Sequence, residues 1–158
     1  MPDFEEALRS LANRWQTQSP RPLRSPISAG DLRADIASFE ERHRLTLPDD
    51  YKLFLHSTID VETEMVDNLV SFKKLHSLGV VAAGIGRPHS RALLFADWFC
   101  DSVMLWFAFH GSREFGVYRD TETKPLFASF TDFIVAYAAL EDPADIFTRT
   151  GYKPGFTR

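Results

Sequence analysis

Apolar residues at Phe4, Ala7, Leu8, Leu11, Ala12 and Trp15 recur at helical spacing, which predicts a short amphipathic helix at the start of the chain. Asp3, followed three residues later by Glu6, has the pattern of an N-cap with its reciprocal acid. Gln16 to Gly30 then carries Pro20, Pro22 and Pro26 among Ser and Arg. Proline lacks an amide donor and clashes with the preceding turn, so this stretch reads as a linker or extended arm. Leu32, Ile36 and Phe39 mark the apolar face of a second helix, which opens on Ser28 and Asp31 and runs to about His43. Leu45-Thr46-Leu47-Pro48 breaks it. Asp49 can cap a third helix whose Tyr51, Phe54 and Leu55 share a face, so the two helices form an elbow hinged at Pro48.

The texture changes after Ile59. Acidic and apolar residues alternate from Asp60 to Val66, as in a half-buried strand or sheet edge. Leu69 to Leu78 has no clear period, and Gly79, Gly84, Gly86 and Pro88 place Val80-Val81-Ala82-Ala83 within a loop. Ala92–Ala96 and Val103–Phe109 are continuous apolar runs, read as strands buried on both sides and joined by a turn from Asp97 to Ser102. Gly116–Arg119 suggests a further strand. Ser129 caps a closing helix with Phe130, Phe133, Ile134, Tyr137 and Leu140 on its apolar face and Pro143 beyond its end. Helices, then a meander of strands, then a helix predict an α+β fold: a mostly antiparallel, twisted sheet with helices packed on it.

Composition adds a size and a chemical class. The chain has 158 residues, 44% hydrophobic and 25% charged, which is the globular average and enough for one ordinary core. The expected organisation is an N-terminal helix and Pro-rich linker over 1–27 and a single domain over 28–158. With 14 Phe, the core should be lined by rings that need no polar partner. The net charge of −4 is opposite to the footprint of a nucleic-acid binder and favours a basic partner. A lone Cys100 forms no internal disulfide, and the acidic start lacks the pattern of a signal peptide. The longest apolar run, Val103 to Phe109, is far below the roughly 18 residues of a membrane span. A cytoplasmic, membrane-free protein is the expectation.

Motifs for catalysis are hard to find. Gly84-Ile85-Gly86 opens like a dinucleotide loop, but His89 stands where the third glycine belongs and Pro88 blocks the following helix. His43, His56, His76, His89 and His110 are too scattered to share a metal by sequence spacing, so neither a metal nor another cofactor is expected. Asp97 and Asp101 flank Cys100 and disfavour a reactive thiolate. Asp60, Glu62, Glu64 and Asp67 imitate a calcium loop, yet Met65 replaces its glycine and Ser71 its final Glu. These four acids are either a solvated strand edge guarded against aggregation or an acidic docking surface for a basic partner.

Ile36-Ala37-Ser38-Phe39-Glu40, leading into Leu45-Thr46-Leu47-Pro48-Asp49-Asp50-Tyr51-Lys52-Leu53-Phe54-Leu55, resembles the signature helix pair of the SUKH superfamily. That superfamily includes a fungal cell-wall-synthesis regulator and many bacterial immunity proteins. Leu93–Trp98 is similar to its central strand and following turn, and Ala128–Ile134 to its closing helix, so the likeness spans about residues 28–141. The chain departs from the pattern after the elbow, where His56–Asp60 contains no glycine. The resemblance implies an α+β domain without catalytic residues that binds and blocks a cognate toxin, plausibly a nuclease with a basic surface. A scaffold or regulator of the same fold is the alternative, and a small-ligand binder or enzyme is the third class. Leu47, Pro48, Tyr51, Phe54, Asp97, Trp98 and Phe130 carry the resemblance and are expected to be structural. Asp60, Glu62, Glu64 and Asp67 are the candidate partner-binding residues.

Overall fold

A computed structural model describes residues 3–23, 29–57, 65–82, 91–100, 102–120 and 122–148. Helix α1 (Phe4–Gln18) is capped as its sequence predicts, with the Asp3 carboxylate accepting from the Glu6 amide at 2.8 Å. It runs three residues, through Gln18, into the expected linker. Ala7, Leu8, Leu11 and Trp15 enter the same hydrophobic cluster as the rest of the chain, so α1 is part of the core.

Helix α2 (Ala29–His43) ends on Arg44 at φ +50°, whose amide donates to the Glu41 carbonyl while that of Leu45 reaches the Glu40 carbonyl. Such paired bonds satisfy the last carbonyls of a helix and turn the chain sharply. Helix α3 (Asp49–Ser57) starts after Pro48, whose carbonyl accepts from the Lys52 amide at 2.9 Å. Glu40 ties the elbow shut, its Oε1 accepting from the Leu47 amide at 2.7 Å and pairing with Lys52 at 2.8 Å. The carboxylate that works as an anchor is that of Asp50 rather than Asp49. Its Oδ2 accepts from the Thr131 amide and hydroxyl, both at 2.8 Å, at the start of helix α4 (Phe130–Ala139).

The sheet is antiparallel with five strands, β1 (Val70–Phe72), β2 (Gly79–Ala82), β3 (Arg91–Trp98), β4 (Val103–His110) and β5 (Arg113–Arg119). β1 and β2 both pair with β3, β4 pairs on its other side, and β5 pairs with β4. Val80 and Val81 therefore lie in a strand, not in the predicted loop, because the β3 ladder satisfies their backbone. β3 likewise runs through Asp97 and Trp98, which pair with Met104 and Val103, so the turn begins only at Phe99. A four-residue helix, α5 (Asp145–Thr148), follows α4 and was not legible in the sequence.

The helices pack on the sheet through rings. Phe95 stacks on Phe107 at 4.3 Å between centroids, and Tyr51 meets Phe107 at 4.9 Å and Phe130 at 5.1 Å. Leu47, Tyr51, Phe54 and Phe130 are buried as expected. Tyr51 and Phe54 sit among Phe72, Phe95, Phe107 and Phe130, whereas Phe39 meets His43 of its own helix in a tilted contact at 4.5 Å. Among the described residues no helix is long and apolar enough to cross a membrane.

Candidate functional site

Backbone conformation singles out one end of the sheet. Asp67, Asn68 and Leu69, between the single bridge residue Val66 and the start of β1, have φ of +47°, +62° and +76°. Phe99 and Cys100, in the β3–β4 turn, have φ of +52° and +51°. None of the five is glycine. A left-handed conformation costs an L-residue about 1–2 kcal/mol, and successive non-glycine examples persist only where the surroundings impose them.

The surroundings are specific. Val66 and Val70 exchange two backbone hydrogen bonds, at 3.0 and 2.7 Å, across the three left-handed residues. The Phe99 amide donates to the Leu69 carbonyl at 3.0 Å, and the Trp98 indole N–H donates to the Asn68 carbonyl at 2.9 Å. The two turns are thereby joined into one tip. Trp98 is half-buried, with its ring 5.6 Å from that of Phe99. Leu69 is 38% exposed and Phe99 53%, and Met65, on the arm entering the first turn, is also exposed. An apolar side chain held outward on an ordered backbone has little entropy left to lose on binding, which favours its use as an interface anchor.

Behind the tip lies a buried charge. The Asp67 side chain is 2% exposed. Its Oδ2 accepts from Trp15 Nε1 at 2.6 Å, from Arg14 Nη2 at 3.0 Å and from the Tyr137 hydroxyl at 3.0 Å. Its Oδ1 accepts from Gln18 Nε2 at 2.9 Å, while its own amide donates to Gln18 Oε1 at 2.7 Å. Arg14 also stands over the Tyr137 ring at 5.6 Å. Burial, and then the charge and hydrogen bond of Asp67, push the Tyr137 hydroxyl well above its usual pKa, so it remains a donor. A second buried acid, Asp97, pairs at 2.8 Å with Lys73, the residue after β1.

This arrangement corrects one expectation. Asp67 does not stand on an exposed acidic edge: its carboxylate is consumed by α1 and α4 and faces the interior. Asp60, Glu62 and Glu64 lie outside the described residues, as does most of the loop from Gly84. Arg91, the first residue of β3, is committed to structure, its guanidinium donating to the carbonyls of His43, Arg44 and Gly111. Among the described residues no group of three or more His, Cys, Asp or Glu could hold a metal ion. A cleft of about 330 Å³ separates α1 from α3 and is lined by Phe4, Leu8, Arg9, Ala12 and Leu53 among others.

Asn68, Leu69 and Phe99 were not legible as site residues. Asn is the residue most tolerant of left-handed backbone after glycine, but Leu and Phe carry no such signal. Comparison with family models, with curated proteins and with solved structures gives no match.

Proposed function

We propose that this protein acts by binding another protein, as an immunity protein of the SUKH kind that neutralises a toxin by covering it. The observation that carries the reading is the tip, where Leu69 and Phe99 are held into solvent by backbone that the fold fixes in a costly conformation. A rigid apolar anchor of this kind suits a protein interface better than a reaction. The elbow residues of the resemblance are packed as structural elements, which is compatible with a domain whose specificity lies on its surface. The net charge of −4, with Asp60, Glu62 and Glu64 just ahead of Met65 in sequence, favours a partner with a basic face, as a nuclease has.

The test is binding and growth protection against the polypeptide encoded beside this chain's own reading frame. Phe99→Ser should weaken that complex by about tenfold or more, the effect of truncating a central anchor, with the thermal midpoint unchanged. Reversing Glu62 and Glu64 to Lys should instead slow association at low salt. Undiminished affinity in Phe99→Ser would remove the tip from the interface. Absence of any complex with the neighbouring product would overturn the immunity reading and leave a scaffold or regulator of the same fold.

A further inference from the structure

The left-handed turn does not hold itself. Its first residue, Asp67, is gripped by three side chains of α1, Arg14, Trp15 and Gln18, and by Tyr137 of α4. The contact from Gln18 is two-sided, since its amide group takes both the Asp67 amide and the Asp67 carboxylate. From Asp67 the path is short: Asn68 accepts from the Trp98 indole, and Leu69 accepts from the Phe99 amide. All of these bonds are made with residues 67–69 at positive φ. With its side chain 2% exposed, the Asp67 carboxylate relies on these donors, so the loss of one weakens the grip as a whole.

We infer that Asp67 is a positioning residue through which α1 sets the shape of the tip, so that docking of α1 and ordering of Leu69 and Phe99 are a single event. The inference deepens the binding reading, because the unit that α1 holds is the one proposed to meet the partner. Linkage then makes the effect reciprocal: a partner that closes on the tip tightens α1 by the same factor.

The experiment uses the free protein, so it stands or falls without any partner. Gln18 is exposed, and Gln18→Ala removes the two-sided contact while leaving the buried face of α1 intact. Amide hydrogen exchange is followed at Val70 and Phe99, whose amides donate to Val66 and Leu69, and at Val117, whose amide donates to Phe127 away from the tip. In Gln18→Ala, exchange at Val70 and Phe99 should quicken by about tenfold or more while Val117 keeps its rate, since a local opening touches only the amides it exposes. Trp15→Phe, which keeps an aromatic ring in the core but removes the indole donor to Asp67, should act in the same direction. Gln18→Glu, which sets a second carboxylate against Asp67, should quicken exchange further than Gln18→Ala. Unchanged rates at Val70 and Phe99 in Gln18→Ala and Trp15→Phe, or a rise shared equally by Val117, would overturn the inference.

Discussion

Phe54 and Leu53 are adjacent on α3, one buried and the other exposed, which makes them a paired test of the core. Phe54 is 3% exposed and Leu53 56%. Around Phe54 stand Phe130 at 5.3 Å, Phe72 at 5.5 Å, Tyr51 at 6.0 Å and Trp15 at 6.4 Å, so one ring joins α1, α3, β1 and α4. Truncation to Ala returns roughly 150 Å² of ring to the unfolded-state balance, worth about 3–4 kcal/mol at ~25 cal/mol per Å². The rings lining the gap are fixed by other contacts and cannot close it, so a cavity penalty adds to this, and the expected loss is about 4 kcal/mol. For a chain of this size that is a fall in Tm of roughly 8–16 °C. Leu53→Ala should stay within about 0.5 kcal/mol, as exposed positions do. Urea unfolding followed by far-ultraviolet circular dichroism measures both, with an unchanged slope showing that the denatured state is the same. A loss below about 1.5 kcal/mol in Phe54→Ala, or equal losses in the two variants, would refute the packing described for α3.

Tyr137 should stay un-ionised in the folded protein at a pH where tyrosine in the unfolded chain has begun to titrate, because burial and Asp67 hold its pKa above 10.0. Above that pH the unfolded chain releases the proton that the fold retains, so stability falls as pH rises, and Tyr137→Phe should flatten the fall between about pH 10 and 11; equal slopes of urea midpoint against pH would contradict this. Gly116 has φ +138°, and a Cβ there would meet Pro125 Cβ at 3.1 Å and the Phe127 carbonyl at 3.2 Å. Gly116→Ala should therefore cost about 1–3 kcal/mol by thermal unfolding, and a neutral result would show that residues 125–127 yield. Arg91→Lys should cost about 1–3 kcal/mol, since a point ammonium cannot span the carbonyls of His43, Arg44 and Gly111 that the planar guanidinium reaches. Full stability in the lysine variant would mean that the α2 terminus needs no such clasp.

The sequence by itself determined the parts whose signal is local. The periods of Phe4–Trp15 and Phe130–Tyr137 define α1 and α4, Asp3 and Ser129 cap them, and the run Val103–Phe109 lies within β4. In each, one short window holds both the apolar spacing and the stop or start chemistry. Pro48 marked the elbow for the same reason. What the tertiary structure decided depends on partners far along the chain. Val80 and Val81 are a strand because β3 offers them a ladder, and Asp97 and Trp98 extend β3 because β4 continues beside them. Asp67 shows the difference most clearly. Its neighbours in sequence, Glu62 and Glu64, give it the pattern of a surface acid, yet Trp15, 52 positions away, and Tyr137, 70 positions away, supply the donors that let its charge be buried. The left-handed path of Asn68 and Leu69 follows from that burial and from the β3–β4 turn beside it. Those conditions are fixed by the assembled fold and not by any residue's own preference.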